Sequence, residues 1–150
     1  MLNRTVSVIP PDETQKRVAI YCRVSSASRE QIHSLINQIS FLTIEVGANP
    51  DLRIVGIYID VHSGSSVSGR PEYLRMLQDC HSGLIDVVYA KSISRFGRDT
   101  FEALKAVQDI VTEGVLVHFS EYDIGTDKVG GMLQFQIAAS IAEEENRARS

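Results

Sequence analysis

The chain has 150 residues, is 43% hydrophobic, and carries 19 acidic against 15 basic side chains, for a net charge of −4. This size is enough for one domain with its own core, and the acidic balance excludes a domain that holds nucleic acid by bulk electrostatics alone. We find no signal peptide and no apolar run near the roughly 20 residues of a membrane span, so we expect a soluble, cytoplasmic protein with no membrane partner.

The amino-terminal half predicts a leader, a strand and a helix. Residues 1–16 are polar, contain Pro10-Pro11 and show no periodicity, which predicts a flexible leader. Arg17–Val24 is a near-continuous apolar run, typical of a parallel strand covered on both faces. Residues 29–47 have helical spacing, with Gly47 as the expected C-cap. The expected buried face of this helix consists of Ile32, Leu35, Ile36, Ile39, Leu42 and Val46.

The middle of the chain predicts a second and a third strand with a helix between them. Residues 53–60, "RIVGIYID", form the second strand and open into a loop rich in Gly and Ser. A short helix follows from about Pro71 to Cys80, since proline suits a first helical turn. The third strand ends near Ala90. The two cysteines of the chain have no metal-site or disulfide spacing, so we expect reduced thiols.

The last part predicts two more helices and a fourth strand. A helix begins at Asp99, where Asp99 and Glu102 match a capping box, and ends at Gly114. The expected buried face of this helix consists of Phe101, Leu104, Val107 and Val111. "VLVHFSEY" is the fourth strand and "DIGTDKVGG" a loop. A long helix then begins around residues 131–133 and reaches Ser150 without a stop signal, so we expect a fragment that ends within this helix.

This alternation predicts an α/β fold, with an open, mostly parallel sheet of about four to five strands flanked by helices and a long C-terminal helix. In such sheets ligands gather at the carboxyl ends of the strands. Those ends carry a candidate nucleophile, Ser25, and a polar loop. They also carry five cationic side chains: Arg23, Arg70, Lys91, Arg95 and Arg98.

Converging arginines suit a phosphate diester, because guanidinium groups are fork-shaped donors that stay charged. Tyr21, Arg23 and Ser25 share one face of the first strand, since side chains alternate along a strand. Surrounding guanidinium groups would stabilise the alkoxide of Ser25 as it develops. The alternative is that Arg23 pairs with a core carboxylate such as Asp60 and that Ser25 merely starts a loop.

Neither a metal ion nor a cofactor is expected. A two-metal nuclease needs clustered carboxylates, whereas Asp60, Asp86 and Asp99 are scattered among arginines. The four histidines also lack ligand spacing. Neither of the glycine-rich phosphate-binding motifs, G-x-x-x-x-G-K-[ST] or G-x-G-x-x-G after the first strand, is present.

Four segments in order resemble the serine recombinases, a family that includes resolvases, invertases and large serine integrases and transposases. "YCRVSS" resembles the signature in which the serine after R-V is the nucleophile, here Ser25. "SLINQ" points to Gln38, and "YIDVHSGSSVSGRP" points to Asp60 and Arg70. "KSISRFGRD" points to the last three expected site residues. These are Arg95, Arg98 and Asp99. We further expect substrate contacts from Tyr21, Ser63 and Lys91. The resemblance covers a catalytic domain at residues 17–150.

The resemblance implies a reaction without metal or ATP. Ser25 attacks a DNA phosphodiester, a 5′-phosphoserine forms, and subunits of a tetramer exchange half-sites and religate them. It also implies dimers and tetramers that bind specific recombination sites, mainly through a region beyond Ser150. Four extra residues separate Ser25 from "SL", and this longer spacing resembles that of the larger integrase and transposase type.

Two other interpretations are open. The chain could be a metal-independent phosphoesterase or nucleotide-binding α/β domain that uses Ser25 on small substrates. It could also be a non-enzymatic regulatory module whose arginines bind an anion.

Overall fold

The computed structural model describes residues 14–61, 69–97, 100–121, 123–126 and 144. The elements in chain order are β1 (Lys16–Val24), α1 (Arg29–Gly47), β2 (Leu52–Val61), α2 (Pro71–His81), β3 (Val87–Ala90), a 3₁₀ helix (Ile93–Arg95), α3 (Thr100–Thr112), β4 (Leu116–Phe119) and β5 (Ile124–Gly125). Most of the expected leader and the expected long C-terminal helix lie outside the described residues.

The strands form one sheet in the order β2-β1-β3-β4-β5. The first four are parallel, and β5 runs antiparallel to β4. This confirms the prediction of an open, mostly parallel sheet. Strand β5 corrects the prediction of a loop at "DIGTDKVGG": its two residues pair with His118 and Phe119, a tertiary contact too short to leave a pattern in the sequence.

The order of the strands reverses between β1 and β3. From β1 the chain moves outward to β2 through α1, and it then crosses back through α2 to β3 on the other side of β1. Such a reversal opens a crevice at the carboxyl ends of the two neighbouring strands, where ligands bind in open α/β sheets. The residues that follow β1 and β3 are therefore the expected place for a functional site.

Strand β1 is covered on both faces, which explains its continuous apolar sequence. Ala19 and Tyr21 belong to the core under α2 and α3, and Val18, Ile20 and Cys22 to the core under α1. All five side chains are fully buried. The prediction of a doubly covered strand is confirmed.

The expected buried face of α1 is partly wrong. Leu42 and Val46 are buried, but Ile36 is 54% exposed, and Gln38 is 0% exposed instead. The helix contacts the sheet along a narrow stripe, and Gln38 enters it because its polar groups find partners there. Gly47 is not the C-cap either. The cap is Ala48 in the right-handed region, at φ −77° and ψ −13°, so no left-handed glycine is required.

The expected face of α3 is also partly wrong. Phe101 is 75% exposed, whereas Val107 is fully buried. The buried stripe of α3 consists of Ala103, Ala106, Val107 and Ile110. Two predictions of helix ends are confirmed: Pro71 lies in the first turn of α2, and Gly114 follows the end of α3 with φ +80°. No helix in the described part of the chain is long and apolar enough to cross a membrane.

Candidate active site

The candidate nucleophile lies at the reversal point of the sheet. Ser25 directly follows β1 and is exposed, and Arg23, two residues earlier, is half-buried. The 3₁₀ helix that follows β3 returns to this edge and brings Arg95 against the end of β1. Residues 72 apart in the chain therefore meet where the fold opens its crevice.

The side chains of Arg23 and Arg95 each donate a hydrogen bond to the main chain of the other residue. The Nε of Arg23 donates to the carbonyl oxygen of Arg95 at 3.3 Å, and Nη1 of Arg95 donates to the carbonyl oxygen of Arg23 at 2.9 Å. A second Arg23 nitrogen, Nη2, donates to the carbonyl oxygen of Ser94 at 2.8 Å. These bonds fix both guanidinium groups, and because carbonyl oxygens carry no net charge, they do so without cancelling the positive charges.

Arg70 is a third cation at the same place, although it is only 1% exposed. Its Nη1 donates to the carbonyl oxygens of Arg95 at 3.2 Å and Phe96 at 3.0 Å. Its guanidinium carbon lies 5.2 Å from the centre of the Tyr73 ring, within the range of a cation–π contact. The segment of the 3₁₀ helix thus accepts hydrogen bonds from two arginines, Arg23 at the end of β1 and Arg70 at the N-cap of α2.

The electrostatics of this cluster favour an incoming anion. Burial lowers the pKa of the Arg23 guanidinium, and the charges of Arg70 and Arg95 lower this pKa further. The opposing effects come from Tyr21 and Asp60. Burial likewise lowers the pKa of Arg95. Gathering cations in a partly desolvated edge costs free energy, which a bound anion offsets.

Asp60 is the second-last residue of β2 and caps α2. It lies in register with Arg23 on the neighbouring strand. Its carboxylate accepts hydrogen bonds from the main-chain N–H groups of Glu72 at 3.0 Å and Tyr73 at 2.9 Å, and from the hydroxyl of Tyr21 at 2.9 Å. The N-cap residue of α2, Arg70, makes no side-chain capping bond, so Asp60 satisfies these helix donors from a distant strand.

The position of Tyr21 corrects its expected role as a substrate contact. The side chain is 0% exposed and its hydroxyl is bound to Asp60. Burial raises the pKa of this hydroxyl well above its usual range, with a further contribution from the Asp60 charge. Tyr21 shares a strand face with Arg23 as predicted, but it supports Asp60 and does not reach the surface of the crevice.

Gln38 holds the end of β1. Its Nε2 donates to the carbonyl oxygen of Arg23 at 3.3 Å, and its Oε1 accepts from the N–H of Arg23 at 3.4 Å. The buried carboxamide therefore pairs with the backbone as a neighbouring strand would. Gln38 therefore contacts the main chain of Arg23 and not its guanidinium group.

Four predicted site residues remain, and the structure describes one of them, Lys91. Lys91 directly follows β3 and is half-buried, and its carbonyl oxygen accepts from the N–H of Glu121 at 2.8 Å. Ser63, Arg98 and Asp99 lie outside the described residues. Within the ranges that the structure describes, no three His, Cys, Asp or Glu side chains form a group that could hold a metal ion.

Two features of the site were missed by sequence reasoning. Below the arginines lies a cluster of aromatic rings: Tyr73, Tyr21, Phe96 and Phe119, with successive centroids 5.3–5.7 Å apart. No local pattern predicts their meeting. The second is Gln31, whose Oε1 accepts from the N–H of Ser25 at 3.3 Å. The S-x-x-Q capping signature of Ser28 and Gln31 was a readable signal for it.

An exposed hydroxyl beside fixed, charged guanidinium groups can attack a phosphate ester and accept its phosphoryl group. The hydroxyl supplies the nucleophile, and the cations stabilise charge on the non-bridging oxygens of the phosphate in the transition state.

Residues 18–150 match the family model described as "Resolvase, N terminal domain". A resolvase/recombinase of Pseudomonas putida is 32% identical over 126 residues, which are 83% of this chain and 62% of that protein. The chain spans less than two thirds of the length of the curated relatives it first matches, at 62% and 64%.

Two solved structures have the same fold. The N-terminal catalytic domain of TP901-1 integrase matches with a TM-score of 0.72 and 26% identity, over 90% of this chain and 100% of that one. A resolvase family site-specific recombinase from Streptococcus pneumoniae matches with a TM-score of 0.71 and 31% identity, over 89% and 90% of the two chains.

Proposed function

Because the chain belongs to the resolvase N-terminal domain family, we propose that residues 17–150 form the catalytic domain of a site-specific DNA recombinase with a serine nucleophile. One observation carries this proposal. The exposed Ser25 follows the strand on which Arg23 is fixed, and main-chain carbonyl oxygens hold two more cations there: the oxygen of Arg23 binds Arg95, and the oxygen of Arg95 binds Arg70.

The reaction begins at the hydroxyl of Ser25. Its Oγ attacks the phosphorus of a DNA phosphodiester, the Ser25–phosphate bond forms, and the bond to the 3′ oxygen breaks. The products are a 5′-phosphoserine and a free 3′-hydroxyl, which takes up a proton as the serine hydroxyl loses one. The number of phosphoester bonds is unchanged, so religation to another 3′-hydroxyl needs no ATP, and we assign the stabilisation of charge to arginines instead of a metal ion.

Arginines carry most of the stabilisation. Arg23 and Arg95 offer donors to the non-bridging oxygens, where charge accumulates in the transition state, and the buried Arg70 adds its positive charge to the same site. We assign the same role to Arg98, and to Asp99 the orientation of neighbouring groups. Asp60 and Gln38 act behind the arginines, because both bind main-chain groups next to them.

The same proposal covers partners of the whole protein. We propose that it acts on specific recombination sites in DNA as a dimer and a tetramer, and that it is of the larger integrase and transposase type. The mild acidity of residues 1–150 fits a protein whose main phosphate-binding surface lies elsewhere. Ser63 and Lys91 are assigned as further contacts to the DNA substrate.

The test is covalent capture. Full-length protein is incubated, in EDTA, with end-labelled nicked duplexes that have a randomised centre and were first selected for binding. A DNA adduct that survives denaturation and maps to Ser25 by mass spectrometry is expected, and Ser25→Ala should abolish it. Ser26→Ala is the control for the neighbouring hydroxyl: the adduct should still form and map to Ser25, whatever the effect on its rate of losing the bond to the N–H of Ser28.

Two results would contradict the proposal. One is an adduct that persists in Ser25→Ala or that forms only with Mg²⁺. The other is Ser25-dependent hydrolysis of a small phosphate ester in the absence of any DNA adduct, which would indicate the phosphoesterase instead.

A further inference from the structure

We propose that Gln31 is a positioning residue for the nucleophile, acting through the main-chain N–H of Ser25. This role rests on the proposed function of Ser25. Gln31 lies in the first turn of α1, outside the four segments that resemble the recombinase family, and it belongs to the stretch that separates "YCRVSS" from "SLINQ".

The contact comes from a rearranged helix cap. Ser28 is the N-cap of α1, and its Oγ accepts from the N–H of Gln31 at 3.3 Å. In a capping box the side chain three residues on returns to the N–H of the cap residue itself. Here the N–H of Ser28 is taken by the Oγ of Ser26 at 3.3 Å. The carboxamide of Gln31 therefore reaches further back, to the N–H of Ser25 at 3.3 Å.

Ser25 needs such a partner because the strand ladder stops before it. Strand β1 pairs with β2 as far as Val24, and with β3 only as far as Ile20. Beyond those positions the backbone is held by side chains. Gln31 and Gln38 lie seven residues apart, two turns along one side of α1, and they bind the main chain of Ser25 and Arg23 respectively.

One helix therefore sets the relative position of nucleophile and clamp. The direction of the Ser25 hydroxyl depends on the backbone dihedrals of Ser25, and its N–H bond restrains them. Reactivity falls about 10²-fold for a misplacement near 1 Å. Loss of a single exposed hydrogen bond should displace the Ser25 hydroxyl by less than 1 Å, so we expect the attack to slow by about tenfold.

The experiment compares three variants of the full-length protein. Gln31→Met keeps the length of the side chain and the Ser28 cap but has no strong acceptor. Gln31→Glu keeps an acceptor oxygen. Gln78→Met makes the same change on the exposed side of α2 and is the control. The readouts are hydrogen exchange of the Ser25 amide, affinity for the selected duplex, and the single-turnover rate of adduct formation at saturating DNA.

Gln31→Met should speed exchange of the Ser25 amide and slow adduct formation about tenfold, with DNA affinity and Tm unchanged. Gln31→Glu should restore the protection of the amide, and Gln78→Met should behave as wild type. Adduct formation by Gln31→Met at the wild-type rate overturns the role and leaves the proposed function standing. Failure of the wild-type protein to form any Ser25 adduct refutes the proposed function itself, and this role with it.

Discussion

Arg23 and Arg95 each donate a side-chain hydrogen bond to the main-chain carbonyl oxygen of the other, at 3.3 and 2.9 Å. Each arginine is thus part of the scaffold that holds its neighbour. Two like charges stay side by side because the bonds that fix them go to neutral oxygens. The arrangement is rigid before an anion arrives, which is what electrostatic stabilisation of a transition state requires.

The first prediction concerns replacement of either arginine by lysine. Arg23→Lys and Arg95→Lys keep the charge but lose the planar fork, so the replaced side chain loses the fixed geometry of its hydrogen bond to the carbonyl oxygen of the other residue. We expect Ser25 adduct formation to fall by about 100-fold in each, since the cation at the replaced position is misplaced relative to the phosphate. Because each change disturbs the same pair, the double variant should be little slower than the single ones.

Arg75→Lys is the control for these lysine variants. Arg75 pairs with Glu72 on the exposed side of α2, at 2.6 Å, and should react as wild type after the change. Retention of full adduct formation in Arg23→Lys or Arg95→Lys would show that charge alone suffices at these positions.

The second prediction concerns Asp60 as the cap of α2. Asp60→Ala leaves two helix N–H groups and the hydroxyl of Tyr21 without their acceptor in a buried place. We expect a loss of about 2–4 kcal/mol in the free energy of unfolding, measured with urea. Tyr21→Phe removes one of these bonds and leaves the cap, so about 1 kcal/mol is expected. An Asp60→Ala protein as stable as Tyr21→Phe would exclude the capping role.

The third prediction concerns Gly97, next to the buried Phe96. A Cβ at residue 97 would lie 2.5 Å from the main-chain nitrogen of Ala103 and 2.8 Å from the carbonyl carbon of Glu102. The clash is with backbone at the start of α3, which cannot turn aside as a side chain could. We expect Gly97→Ala to lower the free energy of unfolding by about 1–3 kcal/mol.

Gly47→Ala is the matched control for Gly97→Ala. A Cβ at Gly47 meets nothing within 4 Å, and the residue lies inside the last turn of α1. Alanine should be neutral there, or stabilising by up to about 1 kcal/mol. Equal effects of the two alanines in urea denaturation would contradict the close approach at Gly97.

The fourth prediction concerns acid. Asp86 accepts from the main-chain N–H of Arg17 at 2.7 Å and from its guanidinium at 3.0 Å. The hydrogen bond from the Arg17 side chain lowers the pKa of Asp86 in the folded protein. The stabilisation is therefore complete above the unfolded pKa of about 3.9 and is lost as the pH falls through the lower folded value.

Exposure limits the size of this effect. The two side chains are 35% and 38% exposed, so the ion pair contributes about 1 kcal/mol or less. Asp86→Asn should be less stable than wild type at neutral pH, and the difference should shrink below about pH 4. Urea denaturation at both pH values measures it. A difference that stays the same in acid would assign the effect to packing.

Much of the fold could be predicted from the sequence. The periodicity of apolar residues located β1, α1, β2 and α2 to within a residue or two, because strand and helix periods depend only on local geometry. The placement of Arg23 and Ser25 at the end of β1, and of Arg95 shortly after β3, followed from the same boundaries. Parallel strands end at one edge, so their meeting there was a consequence of the fold class.

The tertiary structure decided which side chains face the core and which polar groups bind one another. Gln38 is buried and Ile36 exposed because the buried stripe of α1 is set by the sheet beneath it. Asp60 caps a helix 12 and 13 residues onward, and Arg95 binds a carbonyl oxygen 72 residues earlier. Local sequence specifies what an element is, but burial and hydrogen bonding depend on the surface that another part of the chain brings to it.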